Sequence, residues 1–479
     1  MKNSKWQLFE KKEQKIEINS SFKDNYYDCF YEKNIFNIFN SNLKKEHVLC
    51  VGQVQSGKTK NIENAIDYAV KNNYKLIIVF AGITKILYKQ TNDRISKNIF
   101  YEKKVKFINN IKNLNLQIYL EKNDTVILSI LKWSIELKNM FHAIDLINWE
   151  TKKVLIIDDE CDYASINISY DDSINSTTFQ VISNLYKRFY NVKLLSFTGT
   201  PFANIISSNN GILGPNRIVN LINYKEYCGI NYFNKYSNIH YIKIDFNKNI
   251  ISQTLISQCL LLWLISTACA LIENPNFKSE FLVNIEIHNQ KQLKIMNFIK
   301  KSLSIVKYLQ NQNINSILDR YGLPKYDEKL LINKIKTIVK KIIEENAFVL
   351  LNSESDGENF KSGKNQFCIV VGGFMVSRGF TFDNLTTELF LNIPNGKITV
   401  DTLLQRCRWF GNRTLNNRNK FLRIITNEKI VNALKQAEKY VNIFEQGINT
   451  TNINDIFLKI SYLDRNNNEV ESTNAAKRK

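Results

Sequence analysis

The stretch Val48-Leu-Cys-Val-Gly-Gln-Val-Gln-Ser-Gly-Lys-Thr59 constrains the fold more than any other part of the chain. Val48–Val51 is a short, wholly apolar run that reads as a buried strand. Gly52–Thr59 then spells GQVQSGKT, which fits GxxxxGKS/T at each fixed position. From Asn61 to Val70 the apolar residues Ile62, Ala65, Ile66 and Ala69 recur with helical spacing. Strand, glycine-bounded loop and helix together form the setting that a phosphate-binding loop needs.

The residue types follow from that chemistry. Gly52 and Gly57 let the backbone curl so that its N–H groups face phosphate oxygens. The helix N-terminus adds partial positive charge at the same place. Lys58 is expected to reach the β- and γ-phosphates of ATP, and the Thr59 hydroxyl to ligate Mg²⁺. Gln53, Gln55 and Ser56 complete the expected nucleotide contacts of the loop.

Downstream, apolar runs alternate with helical stretches: Leu76–Phe80, Val126–Ser129, Val154–Ile157 and Leu194–Phe197 read as strands. Uninterrupted apolar strands separated by helices predict a parallel sheet covered on both faces, with ligands at the carboxyl ends of the strands. Two of these strands end in polar motifs, Asp158-Asp-Glu-Cys-Asp162 and Thr198-Gly-Thr-Pro-Phe-Ala-Asn204. A carboxylate at a strand end beside a phosphate loop suits Mg²⁺, and the next carboxylate can orient or deprotonate the attacking water. Asp159 is assigned to Mg²⁺ and Glu160 to water, with Asp158 as the alternative ligand.

The second half repeats the pattern without a phosphate loop. Phe281–Ile285, Val349–Asn352, Gln366–Val371, Leu389–Ile393 and Phe421–Ile425 read as strands, and Asp401–Arg413 as one arginine-bearing helix. Asp327–Glu345 reads as a helix with Leu331, Ile335, Ile338 and Ile342 inward and Lys334, Lys336, Lys340 and Lys341 toward solvent. The fold class is therefore α/β, with two P-loop-NTPase-type units, each a mostly parallel sheet with helices on both faces. The expected boundaries are an N-terminal arm over 1–45, a first domain over 46–235, a connecting segment with a buried helix over 236–277, a second domain over 278–445, and a C-terminal extension and disordered tail over 446–479.

Charge and cysteine usage narrow the setting. The net charge of +20 suits a nucleic-acid partner. The 8 cysteines form no CxxC pair, and with 4 scattered histidines they make neither a disulfide framework nor a zinc pattern; they read as reduced thiols of a cytoplasmic protein. The N-terminus has no apolar core after its charges, so it does not read as a signal peptide. Thr254–Ile272 carries no charge, yet its serines, threonine and glutamine favour a buried helix over a membrane span.

Two α/β units, a phosphate loop in the first and an arginine motif in the second, resemble superfamily-2 helicases and translocases. GQVQSGKT corresponds to their motif I, Asp159–Asp162 to the DExx box, Thr198-Gly-Thr200 to motif III, Ser377-Arg-Gly-Phe-Thr381 to motif V and Gln405–Arg413 to motif VI. That likeness implies two RecA-like domains with ATP between them and nucleic acid on the opposite side. It adds Gly379 and Gln405 as nucleotide contacts and Arg408 and Arg413 as catalytic arginine fingers, with Arg378 a third candidate.

More narrowly, GQVQSGKT, IIDDECDYAS, TGTPFAN, GGFMVSRGFTF and DTLLQRCRWFGNR resemble the Z-one domain family over about residues 48–445. That family is described as an endonuclease domain and occurs in bacterial restriction and defence proteins. Cys407 stands where the family has Gly and Asn412 where it has Tyr; neither change removes a charge. The nearest nuclease-like pattern, Glu150-Thr-Lys152, is an E-x-K of the kind a lysine-rich chain produces by chance, so no independent nuclease site is read here.

The resemblance implies an ATP- and Mg²⁺-dependent enzyme acting on DNA rather than RNA, in bacterial restriction or phage defence, with a partner nuclease or other defence subunit as a possible associate. The competing expectations are an ATP-gated endonuclease and a nucleotide-dependent switch that recruits a partner effector.

Overall fold

The computed structural model describes residues 31–82, 85–98, 104–110, 115–132, 134–145, 147–165, 177–207, 214–244, 252–285, 288–305, 314–352, 360–373, 376, 380–393, 396–414, 417–448, 453–466 and 470–473. These residues form two compact units that interleave along the sequence. The first holds residues 31–224, 399–404 and 439–473; the second holds 225–398 and 405–438.

The first unit is built on seven strands: β1 (Lys45–Val51), β2 (Leu76–Phe80), β3 (Val105–Ile108), β4 (Thr125–Ile130), β5 (Lys153–Asp159), β6 (Asn191–Thr198) and β7 (Arg217–Asn220). Their order is β3-β4-β2-β5-β6-β1-β7, and every neighbouring pair is parallel. The interior strands are buried along nearly their whole length because helices cover both faces, which is why they read as largely apolar runs. Two apolar clusters fill the two faces, one centred on Ile62, Ile66, Ile77 and Phe197, the other on Leu76, Phe80, Ile156 and Trp149.

The second unit carries six parallel strands: β8 (Tyr241–Lys243), β9 (Ser279–Asn284), β10 (Phe348–Leu351), β11 (Phe367–Gly372), β12 (Leu385–Phe390) and β13 (Arg423–Thr426), in the order β10-β11-β9-β12-β13-β8. The apolar helix Gln253–Glu273 is core to this unit rather than part of a connector. It is long and apolar enough to cross a membrane, but thirteen of its side chains are buried among Phe281, Ile299 and Ile335. Its polar groups are satisfied there: Ser266 Oγ donates to the Phe421 carbonyl at 2.8 Å, and Trp263 Nε1 to Ser279 Oγ at 2.8 Å.

Helix Glu328–Glu344 opens on Asp327, whose side chain accepts from the Leu330 amide at 2.9 Å, and it buries Leu331, Ile335, Ile338 and Ile342 as its spacing predicts. Lys340 and Lys341 lie near Glu344 and Glu345 on the outer side, each at 3.7 Å, so much of that basic face is neutralised locally.

Three expectations change. The strand expected at 389–393 runs over Leu385–Phe390, because Leu391 and Asn392 turn away with their amides on the Asn284 carbonyl. The arginine segment is not one helix. Its helix covers Val400–Arg406, the chain then turns, and Gly411–Asn412 pairs antiparallel with Tyr227–Cys228. Gly411 has a φ of 126°, a backbone that few non-glycine residues adopt. Finally, residues 470–473 of the expected disordered tail are ordered. Ser472 donates its amide and hydroxyl to Asp464 at 2.7 and 2.6 Å, and Val470 is buried beside Tyr440.

Candidate nucleotide site

The phosphate loop leaves the end of β1, the acidic motif leaves β5, and Thr198-Gly-Thr200 leaves β6 between them. Register fixes this meeting: Val51 lies opposite Thr198, and Asp159 opposite Phe197. The Gly52 amide donates to the Thr198 carbonyl at 3.0 Å, joining the loop's first residue to the end of β6. Three motifs from distant parts of the sequence thus converge within one unit.

The loop itself is held in a phosphate-type turn. Gln55 and Gly57 have φ of 61° and 90°, so Gly57 caps helix Lys58–Lys71 in the left-handed region. The first turn of that helix carries no acidic side chain, which leaves its positive end available to an anion. Ser56 is buried, while Gln53, Gln55, Lys58 and Thr59 stay partly open to solvent. Lys58 Nζ donates to the Gly52 and Gln53 carbonyls, each at 3.3 Å. Gly199 packs against it: a Cβ there would lie 3.0 Å from Lys58 Nζ and would press on the end of the lysine side chain.

The three consecutive acids have different partners. Asp158 is buried and ion-paired at 2.6 Å with Lys132, itself buried. Lys132 Nζ also donates to the Asp159 and Glu160 carbonyls at 2.6 and 3.3 Å and to Ser165 Oγ at 3.2 Å. Asp158 is thereby committed to a structural cation. Burial pushes the Asp159 carboxyl up to about 7, and the Glu160 charge adds to the effect, while Lys132 and Lys58 oppose it. Glu160 sits at φ 55° and ψ 48°, a left-handed conformation rare for a residue with a side chain, and its amide donates to Asp159 Oδ1 at 3.0 Å.

Asp162 acts as the hub to β6. Its two carboxylate oxygens accept from Thr198 Oγ1 and Thr200 Oγ1, both at 3.1 Å, and Thr198 Oγ1 accepts from the Thr200 amide at 2.9 Å. The sequence named these motifs but did not single out Asp162 or Lys132. Asp162 is the fourth acid of the run at the end of β5, but nothing in the run marks it as the one that binds β6. Lys132 was hidden among the chain's many lysines, its only mark being its place just after the buried strand β4.

In the second unit, Arg413 is buried and all five of its N–H donors meet main-chain carbonyls. Nε donates to Trp409, Nη1 to Phe382 and Asp383, and Nη2 to Arg408 and Phe410, between 2.8 and 3.2 Å. Burial lowers its pKa to about 10. Arg408 Nη1 donates to the Phe380 carbonyl at 3.2 Å and Nη2 to that of Gln405, while Arg406 Nη1 donates to the Asn392 carbonyl at 2.5 Å. Gln405 is partly exposed at the end of the helix that carries it. Beneath this motif lies Glu388, whose carboxyl burial pushes up to about 8 against the opposing charges of Arg408 and Arg413. The expected contacts Arg378 and Gly379 lie outside the described residues.

Among the described residues no three His, Cys, Asp or Glu side chains come together as a separate metal site. Glu150 is exposed, and Lys152 Nζ donates to the Asn148 carbonyl at 2.7 Å in the turn before β5. None of the described cysteines is in a disulfide.

Comparison with known proteins bears on the second unit first. Residues 256–463 match the Z1 domain. The Z1 match takes in the arginine motif and reaches helix Ile453–Asn466, while the phosphate loop and the acidic motif lie N-terminal to it. No curated protein matches the chain. Among solved structures the chain is similar to Saccharomyces cerevisiae Dbp5 bound to RNA and ADP BeF3, at 14% identity over 86% of both chains with a TM-score of 0.48. It is also similar to the DUF1998 helicase MrfA bound to DNA, at 12% identity over 86% of this chain and 48% of that one with a TM-score of 0.46. A DEAD box protein from Methanococcus jannaschii is similar at 14% identity over 86% of this chain and 89% of that one, with a TM-score of 0.40.

Proposed function

We propose that the chain is a Mg²⁺-dependent ATPase of the helicase and translocase type that acts on DNA, in a bacterial restriction or phage-defence system of the cytoplasm. The observation that carries this reading is the convergence of Lys58, Asp159 and Glu160 at the ends of the two strands that flank β6 in one unit, with Asp158 already neutralised by Lys132.

The loop N–H groups and the helix N-terminus receive the phosphates, and Lys58 exchanges its loop carbonyls for β- and γ-phosphate oxygens. Thr59 and Asp159 fit a Mg²⁺ ion. One hydroxyl and one carboxylate would suffice once phosphates and water complete an octahedron, and Asp159 stands beside the Glu160 carboxylate at the end of the same strand. Bound there, the ion would neutralise charge on the β- and γ-oxygens. Glu160 accepts the proton of the attacking water from the left-handed turn that follows β5. Arg408 is the side chain proposed to stabilise the developing γ-phosphate charge.

DNA is proposed as the partner from the net charge of +20. Purified chain with ATP and Mg²⁺ is expected to hydrolyse ATP faster when DNA is added, with stimulation falling steeply as salt rises, and to leave plasmid DNA uncut. Cleavage that persists through purification and disappears in an acidic-residue variant would establish the endonuclease reading instead.

A further inference from the structure

The phosphate loop reaches a residue far along the chain. Gln53 Nε2 donates to Glu445 Oε1 at 2.5 Å across 392 positions of sequence. Glu445 lies near the end of helix Glu428–Ile448, in the part of that helix that belongs to the first unit. We propose that Glu445 is a positioning residue for the phosphate loop, acting through Gln53, and that the C-terminal segment 439–473 is a working part of the nucleotide site. This rests on the ATPase reading above.

The bond is placed where it can act. The Gln53 carbonyl is one of the two that hold Lys58 Nζ, so fixing the Gln53 side chain fixes the peptide that receives the lysine. A loop already held in its binding shape loses less freedom when a phosphate arrives, and binds it more tightly for that reason. Glu445 is itself braced. Tyr440 and Phe444 set their rings edge-on to Phe202, with centroids 6.2 and 6.3 Å away. Phe202 begins the helix just after Thr200, the residue whose hydroxyl binds Asp162. The Tyr440 hydroxyl lies 3.1 Å from Asp464 Oδ1 and 3.2 Å from the Val470 carbonyl, and Asp464 in turn holds Ser472. The C-terminal segment therefore touches both the loop and the turn that ties β6 to the acidic motif. Burial raises the Glu445 carboxyl while the Gln53 bond opposes that rise.

The test is a double-mutant cycle read in two ways. Glu445→Ala and Gln53→Ala should each weaken ATP binding about tenfold, the scale of a hydrogen bond to a charged group. The double variant should be no worse than Gln53→Ala alone, because Glu445 acts only through Gln53. Glu445→Gln should recover most of the loss, since its amide oxygen can accept from Gln53. In Glu445→Ala the KM for ATP should rise while kcat stays within about twofold. Hydrogen exchange of the peptide spanning residues 50–60 reads the loop without nucleotide, and both alanine variants should raise it. Additive losses, a Glu445→Gln variant as weak as Glu445→Ala, or unchanged exchange would overturn the proposal. A parent chain that binds no ATP would remove the ATPase reading, and the exchange result would still decide whether Glu445 positions the loop.

Discussion

Glu160→Gln is expected to hold ATP and Mg²⁺ as the parent does and yet to lower turnover by about 10²–10⁴, the range for a removed general base. The amide keeps the shape of the side chain but cannot take the water's proton. The left-handed backbone at Glu160 belongs to the residue's place after β5, so the substitution leaves the turn intact. The neighbouring acids make a sharper contrast. Asp159→Asn should weaken Mg²⁺-dependent nucleotide binding. Asp158→Asn should instead strand the buried Lys132 ammonium and lower the thermal midpoint, because removing one partner of a buried ion pair leaves an uncompensated charge. Single-turnover hydrolysis, nucleotide binding and thermal unfolding of the three variants separate these roles. If Asp158→Asn abolishes turnover in a protein that melts like the parent, the assignment of the acids is shifted by one residue.

The second large effect divides the two arginines. Arg408→Ala should cut turnover at least a hundredfold, an order-of-magnitude floor for a lost transition-state charge, with ATP affinity little changed. Lysine should not restore it fully, because a point charge cannot copy the planar fork. Arg413→Ala should act on folding. Five carbonyls lose their donor in a buried place, a change expected to destabilise the second unit by about 3–5 kcal/mol. Lysine supplies too few donors in the wrong geometry to replace it. Thermal unfolding and single-turnover hydrolysis on both alanine variants decide the matter. An Arg413→Ala protein that melts like the parent and yet hydrolyses a hundredfold more slowly would exchange the two roles.

The elements legible in the sequence share one physical property. β1, β2, β5 and β6 are buried on both faces, so each carries a largely apolar run, and β2 is found at its expected limits, Leu76–Phe80. The strands that were not foreseen, β3, β7 and β8, are three of the four sheet edges; the fourth, β10, is wholly apolar in sequence and reads as a strand at Val349–Asn352. Val105–Ile108 is four residues long and buries only Ile108, and Arg217–Asn220 buries only Val219, so neither gives a signal above its surroundings. The phosphate loop and the acidic motif were legible because their chemistry demands particular residues at fixed spacing. Lys132, Asp162 and Glu445 were not, because their partners are set by tertiary contact across 26, 36 and 392 positions, where spacing carries no information. The break after Arg406 was hidden for a related reason. Helical spacing continues through Arg413, but the carbonyls that Arg413 binds are those of a turn, not of a helix.

The central claim is that the loop Gly52–Thr59 binds ATP for hydrolysis. Its most direct measurement is the rate of phosphate release from Mg²⁺–ATP by the purified chain and by Lys58→Ala, prepared side by side and shown to melt alike. The account predicts steady turnover by the parent and none above background for Lys58→Ala, with weaker ATP binding, because the β/γ-phosphate charge loses its partner. Equal turnover by the two folded proteins would contradict it.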